Sequence, residues 1–277
     1  MSSSSLRVSG GPYPRWVIAR IVCSALPSLQ VYDVNHYDYD VNLSRTWRRT
    51  VLISPNSDAQ PRIPLSRERV LLGAVEFADA HGLKALTMRG LGEALGVEGM
   101  ALYKHVSNKQ NLLEGMVDLV LSEVELPSPG QEWKSELRRG AISTLKVLLL
   151  HPWVCQLIVS GEGMPGPATW RQMDAILGTL REGGFSVEMT HHAYHVLDVY
   201  VQGVALATVN FPFEKEDMAE VADTFLREFP ATDHPFLVEH ITYHVDTGVL
   251  GEGDFEFGLD LLLDSLERLR DRPETGE

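Results

Sequence analysis

Between Leu86 and Lys109 the chain carries a guanidinium at Arg89, a phenol at Tyr103, an ammonium at Lys104, an imidazole at His105 and a second ammonium at Lys109. These groups suit contact with phosphate oxygens and groove edges rather than bond-breaking, because most are donors and none forms a nucleophile–base pair. The residues between them dictate how they are held. Thr87 is a plausible cap for a short helix from Met88 to Leu95, Gly96-Val97 makes a tight turn, and a second short helix runs from about Glu98 to His105. Two short helices so joined are a helix-turn-helix, in which the first braces and the second enters a major groove. Leu86, Leu91, Leu95, Val97, Leu102 and Val106 supply the apolar contacts of the pair. Leu102 and Val106 share one face, and Met100, Ala101, Tyr103 and Lys104 fall largely elsewhere. The same spacing also fits a solvated helix in an ordinary bundle.

These elements sit inside a longer helical pattern. Ser66 is a candidate cap for a helix with Val70, Ala74, Phe77 and Ala78 on one face and Gly82 just past its end. Ser107-Asn108-Lys109-Gln110 has the S-x-x-Q form of a capping box opening a helix to about Glu125. Pro127 and Pro129 mark a junction. Beyond it the periodicity predicts helices over 132–150, 153–160, 168–182, 187–210, 218–229, 235–245 and 255–270, with Gly/Pro clusters between several of them. The expected fold class is all-α: a helix-turn-helix domain at 65–126 and a larger helical domain at 127–277. Residues 1–64 are Ser/Gly-rich at the start, carry recurrent Pro and keep no helical period, so a disordered extension is expected there.

The net charge of −14 is unfavourable for a nucleic-acid partner, but its distribution matters. It divides as +3 over 1–64, −3 over 65–126 and −14 over 127–277, so most of the acid lies away from the helix-turn-helix. Arg20 interrupts the apolar run 16–25, which lacks a convincing signal-peptide cleavage site. Asp198 and Gln202 lie inside the apolar run 196–213, which is therefore a buried or interface helix and no membrane span. Cys23 and Cys155 are too few for a thiolate zinc site and suit a reducing cytoplasm, with Cys155 as core filling.

Histidines occur four apart at His191/His195 and His240/His244, a spacing that can put two imidazoles on one helical face. No H-E-x-x-H pattern or convergent carboxylate accompanies them, so no metal or other cofactor is expected. Trp153, Trp170, Met173, Tyr194, His195, Tyr200 and Phe211 are candidates for lining an apolar cavity that takes an apolar or aromatic small molecule, plain core being the alternative. Neither G-x-S-x-G nor a P-loop is present, and no enzymatic activity is expected.

The run "LTMRGLGEALGVEGMALYKHVSNKQNLLEGM" resembles the helix-turn-helix of the tetracycline-repressor (TetR) family almost element for element. More loosely, "HPWVCQLI", "AYHVLDVYVQGVALATVNF" and "FEFGLDLLLDSLERL" look like that family's tetracycline-repressor-like C-terminal domain. The resemblance implies a dimeric repressor on a palindromic operator, released by a small effector. It implies that Thr87, Met88 and Arg89 open the bracing helix at the DNA. Glu98, Gly99, Met100, Ala101, Tyr103, Lys104 and His105 would form the recognition surface, with Lys109 on a phosphate. It further implies dimerisation through helices about 187–210 and 255–270, with Phe255, Leu259, Leu262, Leu263 and Leu266 as the apolar stripe. Where tetracycline repressor has Gln-Pro-Thr, this chain has Gly99-Met100-Ala101, none of which can make a bidentate base contact. The alternative is a helical ligand-binding protein or enzyme that does not read DNA.

Overall fold

The computed structural model describes residues 64–161, 166–211, 218–228, 232–247 and 252–271. The extension expected over 1–64 lies outside them, save Pro64. Among the described residues every regular element is helical, as expected of an all-α chain. None of those helices is long and apolar enough to cross a membrane.

Four helices make the head: α1 (Arg67–His81), α2 (Met88–Ala94), α3 (Gly99–Leu102) and α4 (Lys109–Leu121). Their ends follow local side-chain chemistry. Ser66 Oγ accepts the Arg69 amide at 3.1 Å and Thr87 Oγ1 the Gly90 amide at 3.0 Å, so both expected caps form. The capping box at Ser107 does not. Asn108 stands at the cap of α4 instead, its Oδ1 accepting the Asn111 amide at 2.8 Å, and Gln110 reaches forward to Glu114. The two candidate caps are neighbours in sequence, and the amide of Asn108 wins the position.

The second helix of the pair is also shorter than its expected span of 98–105. Glu98 provides no side-chain cap bond, and after Leu102 the chain tightens into bonds from Lys104 to Ala101 and from His105 to Leu102.

The body comprises α5 (Trp133–Leu150), α6 (Trp153–Ser160), α7 (Pro167–Glu182), α8 (Val187–Val209), α9 (Met218–Glu228), α10 (Pro235–Thr247) and α11 (Glu252–Arg270). Helix α8 packs along α5 and α7, and α11 closes over α5 and α8. Two charged clusters hold α11 on α5: Lys134 pairs with Asp264 and Glu267 at 2.7 Å each, and Arg138 with Glu256 and Asp260 at 2.7 and 2.8 Å.

One expectation is corrected. Phe255, Leu259, Leu263 and Leu266 are 0–6% exposed, with Leu262 partly buried beside them, so the stripe assigned to a subunit interface is core of its own subunit. Periodicity identifies side chains that share a face but not what covers that face. The apolar residues that α8 and α11 leave outside are others: Val187, Val196 and Val199 on α8, and Phe257, Leu261 and Leu269 on α11.

Head and body are joined by α4 and by a polar seam. Asp118 in α4 accepts the Ala168 amide in the first turn of α7 at 2.6 Å, satisfying one of the unpaired donors of that helix end. At the seam, Asp79 of α1 meets His151 and Trp153 of the body.

Candidate nucleic-acid interface

The crossing of α2 and α3 depends on bare backbone. A Cβ added at Gly92 would lie 2.8–2.9 Å from the amide and Cα of Gly99 and the carbonyl of Val97, closer than atoms can pack. Gly96 supplies the turn between the helices with φ +69°. Behind the crossing, Leu86, Leu91 and Leu102 are wholly buried and Val106 nearly so.

The opposite face carries the predicted contacts. Met100 is 74% exposed and Tyr103 44%, a presentation that costs solvation of apolar surface. Glu98, Lys104 and Lys109 are exposed around them, and Gly99, Ala101 and His105 are half-buried. Arg89 is exposed and donates to Glu93 Oε1 at 2.9 Å. Thr87 spends its hydroxyl oxygen on the α2 cap, and Met88 packs against the core. The structure thus brings Arg89, Met100, Tyr103, Lys104 and Lys109 to the outside of one small unit, while Thr87 and Met88 mainly shape it.

Arg67 is a structural contact that the sequence pattern does not reveal. Its Nη1 donates to the His105 carbonyl at 3.0 Å and to Asn111 Oδ1 at 2.9 Å. It therefore ties the end of the second helix of the pair to the start of α4, a contact across 38 residues with no local signature. The head's acidity is also placed away from this surface in part: Asp79, Asp118, Glu123 and Glu125 all engage groups of the body.

The body holds a cleft of about 50 Å³ between α5, α7 and α8, lined among others by Leu137, Thr144, Gln172, Ile176, Tyr194 and Asp198. Of the seven residues proposed from sequence, Tyr194 is the one that lines it. Trp153 is buried and donates its Nε1–H to Asp79 at 2.7 Å, so it serves the seam. Trp170 and Met173 face outward on α7, at 61% and 37% exposure. Tyr200 stacks on Phe255 and donates its hydroxyl to that residue's carbonyl at 2.9 Å. Phe211 is half-buried just past the end of α8, and His195 is exposed, its ring 4.5 Å from that of His191. Among the described residues no group of three metal-ligating side chains forms, and the side chain of His244 lies outside them.

Glu125, Thr144, Gln172 and Asp198 are polar cleft residues that the sequence pattern does not assign to it. Gln172 donates to Thr144 Oγ1 at 3.0 Å, and Gln202 donates to Asp198 Oδ1 at 2.8 Å. Burial pushes the Asp198 carboxyl above its ordinary range, and burial with the Asp198 charge pushes the Tyr194 phenol up to about 12. The available signal was Asp198 itself, an acid inside an otherwise uncharged helical run. Cys155 is buried, and its thiol is pushed up to about 11 by that burial, consistent with packing rather than reactivity.

A tightly crossed helix pair with an exposed aromatic and cationic face, carried on a separate helical body, defines a helix-turn-helix DNA-binding protein. Two family models match: "Bacterial regulatory proteins, tetR family" over residues 70–116, and "Tetracyclin repressor-like, C-terminal domain" over residues 126–270. The chain belongs to the tetR family and is a ligand-regulated, DNA-binding transcriptional regulator, not an enzyme. It is 32% identical over 220 residues to the HTH-type transcriptional repressor DrrR1 of Streptomyces coeruleorubidus, covering 76% of this chain and 80% of that one. It is 29% identical over 202 residues to the class E tetracycline repressor protein of Escherichia coli, covering 72% and 89%. Among solved structures it is similar to Streptomyces coelicolor ActR in complex with actinorhodin, with a TM-score of 0.63, 28% identity, and coverage of 76% and 100%.

Proposed function

We propose that the chain is a dimeric repressor that reads a two-fold DNA site with Arg89, Met100, Ala101, Tyr103, Lys104 and Lys109. A small molecule entering the cleft beside Tyr194 and Asp198 releases it. The observation that carries the reading is the exposure of Met100 and Tyr103 on a helix whose other face, Leu102, is wholly buried. In the groove, Met100 and Ala101 offer apolar contact to thymine methyls, and Arg89 and Lys104 supply the hydrogen bonds. Arg89 leaves Glu93 to do so at little cost, because an exposed i,i+4 pair is worth about 0.3–0.5 kcal/mol. Lys109, in the first turn of α4, adds a phosphate contact at a helix end that already favours anions.

Two heads require a dimer, and the outward apolar residues Val196, Val199, Phe257 and Leu261 supply its surface. Coupling runs through α7, which lines the cleft with Gln172 and Ile176 and is bonded at Ala168 to Asp118 of α4. A ligand that favours one placement of α7 shifts α4, and with it Lys109 and the spacing of the heads. Relatives solved with actinorhodin and with minocycline support a body that admits an organic molecule. The place of action is the cytoplasm, where the DNA is.

The test is fluorescence anisotropy of the full chain on the intergenic DNA upstream of its own gene. The expected result is salt-dependent binding that the double variant Tyr103→Ala/Lys109→Ala loses while remaining dimeric. Equal binding by that variant, or none by the wild type, overturns the reading.

A further inference from the structure

Two carboxylates line the cleft, and they differ in one respect. Glu125 pairs with Arg139, which it shares with Glu136 and whose Nη1 lies 2.7 Å from its Oε2. Asp198 receives only the Gln202 amide, and among the described residues no lysine or arginine pairs with it. His195, one turn earlier, is exposed and acts on Asp198 through its charge without a direct bond. The apolar walls, Leu137, Ile176 and Val201, give the carboxylate nothing in return for the water it has lost. Tyr194 lies four residues before Asp198, on the same face of α8 and in the same cleft. A carboxylate beside an aromatic ring, both facing an apolar space, is the chemistry that recognises an ammonium group.

We infer that the cleft selects an organic cation: a ligand with an apolar body and a protonated amine that pairs with Asp198 beside the ring of Tyr194. The inference rests on the reading of this cleft as the effector site. The amine removes the cost of the uncompensated charge, and the apolar body takes the place held by Leu137, Ile176 and Val201 contacts with solvent. The burial that raises the Asp198 carboxyl is the same loss of water that a bound cation offsets.

Phenethylamine and its uncharged isostere phenethyl alcohol test this, titrated into the full chain at neutral pH by calorimetry. The wild type is expected to bind the amine about tenfold tighter than the alcohol. Asp198→Asn, which keeps an acceptor for Gln202, brings the amine down to the alcohol and leaves the alcohol within about twofold. A thermal midpoint no lower than that of the wild type shows that this variant is folded. Ala141→Phe, which fills the cleft, blocks both probes. Equal binding of the two probes, or an amine preference that survives Asp198→Asn, overturns the inference. So does the absence of amine binding at millimolar concentration. If the probes bind equally and Ala141→Phe blocks both, the cation inference falls and the cleft stands as the effector site. If an amine preference persists in Ala141→Phe, the cleft reading falls with it.

Discussion

Asp79 of α1 and Trp153 of α6 are joined by a hydrogen bond of 2.7 Å between residues 74 apart in the chain, and the same carboxylate oxygen lies 2.8 Å from His151 Nδ1. One acid of the head thus holds two rings of the body. Asp79→Ala leaves the buried Trp153 N–H without its acceptor, and the expected cost is about 1–3 kcal/mol. Urea denaturation of the variant against wild type measures it.

The seam also sets a pH dependence. Burial alone would lower the His151 pKa, but the hydrogen bond with Asp79, the Glu123 carboxylate 3.8 Å away and the charges of both override it and raise it to about 9, from an ordinary 6.5. Because the folded value lies above the unfolded one, the stabilisation is fully present below about 6.5 and is lost as pH rises through about 9. Urea midpoints measured from pH 6 to pH 10 should fall over that window in the wild type and fall less in Asp79→Asn.

Gly92→Ala places a methyl against the backbone of Gly99 and Val97, where no side chain can yield. The helix pair is expected to lose about 1–3 kcal/mol of stability. Hydrogen exchange should rise over 86–106 and stay unchanged in α5 and α8, with DNA binding lost in parallel.

Inner and outer residues of α11 should behave oppositely. Leu259 is wholly buried, so Leu259→Ala costs about 2–5 kcal/mol. Leu261 is 51% exposed, so Leu261→Arg leaves the subunit folded but breaks the dimer. Light scattering coupled to size exclusion distinguishes the two.

What was legible in sequence was local. Ser66 and Thr87 cap the helices they precede because a cap is decided within three residues, and Gly96 turns where its φ of +69° is needed. The spacing of Leu102 and Val106 puts them on one apolar face, and both are buried. The stripe from Phe255 to Leu266 was equally visible, but its destination was not, since α5 and α8 cover it from far away in sequence. The same limit hid Arg67 on His105 and Trp153 on Asp79. Aromatic content suggested a cavity, yet Trp170 and Tyr200 are turned away from the cleft, and Gln172 and Asp198 line it. Side-chain type does not tell which face a helix turns inward.

The salt dependence of operator affinity reports whether the face around Met100 and Tyr103 lies against DNA phosphates and bases. The logarithm of the binding constant should fall linearly with the logarithm of salt concentration. Lys109→Ala should weaken binding on every sequence and reduce that slope by about 0.9, the loss of one phosphate contact. Met100→Ala should leave the slope unchanged and relax sequence preference. A wild-type affinity independent of salt, or a slope that Lys109→Ala does not alter, would mean that this face does not rest on phosphate.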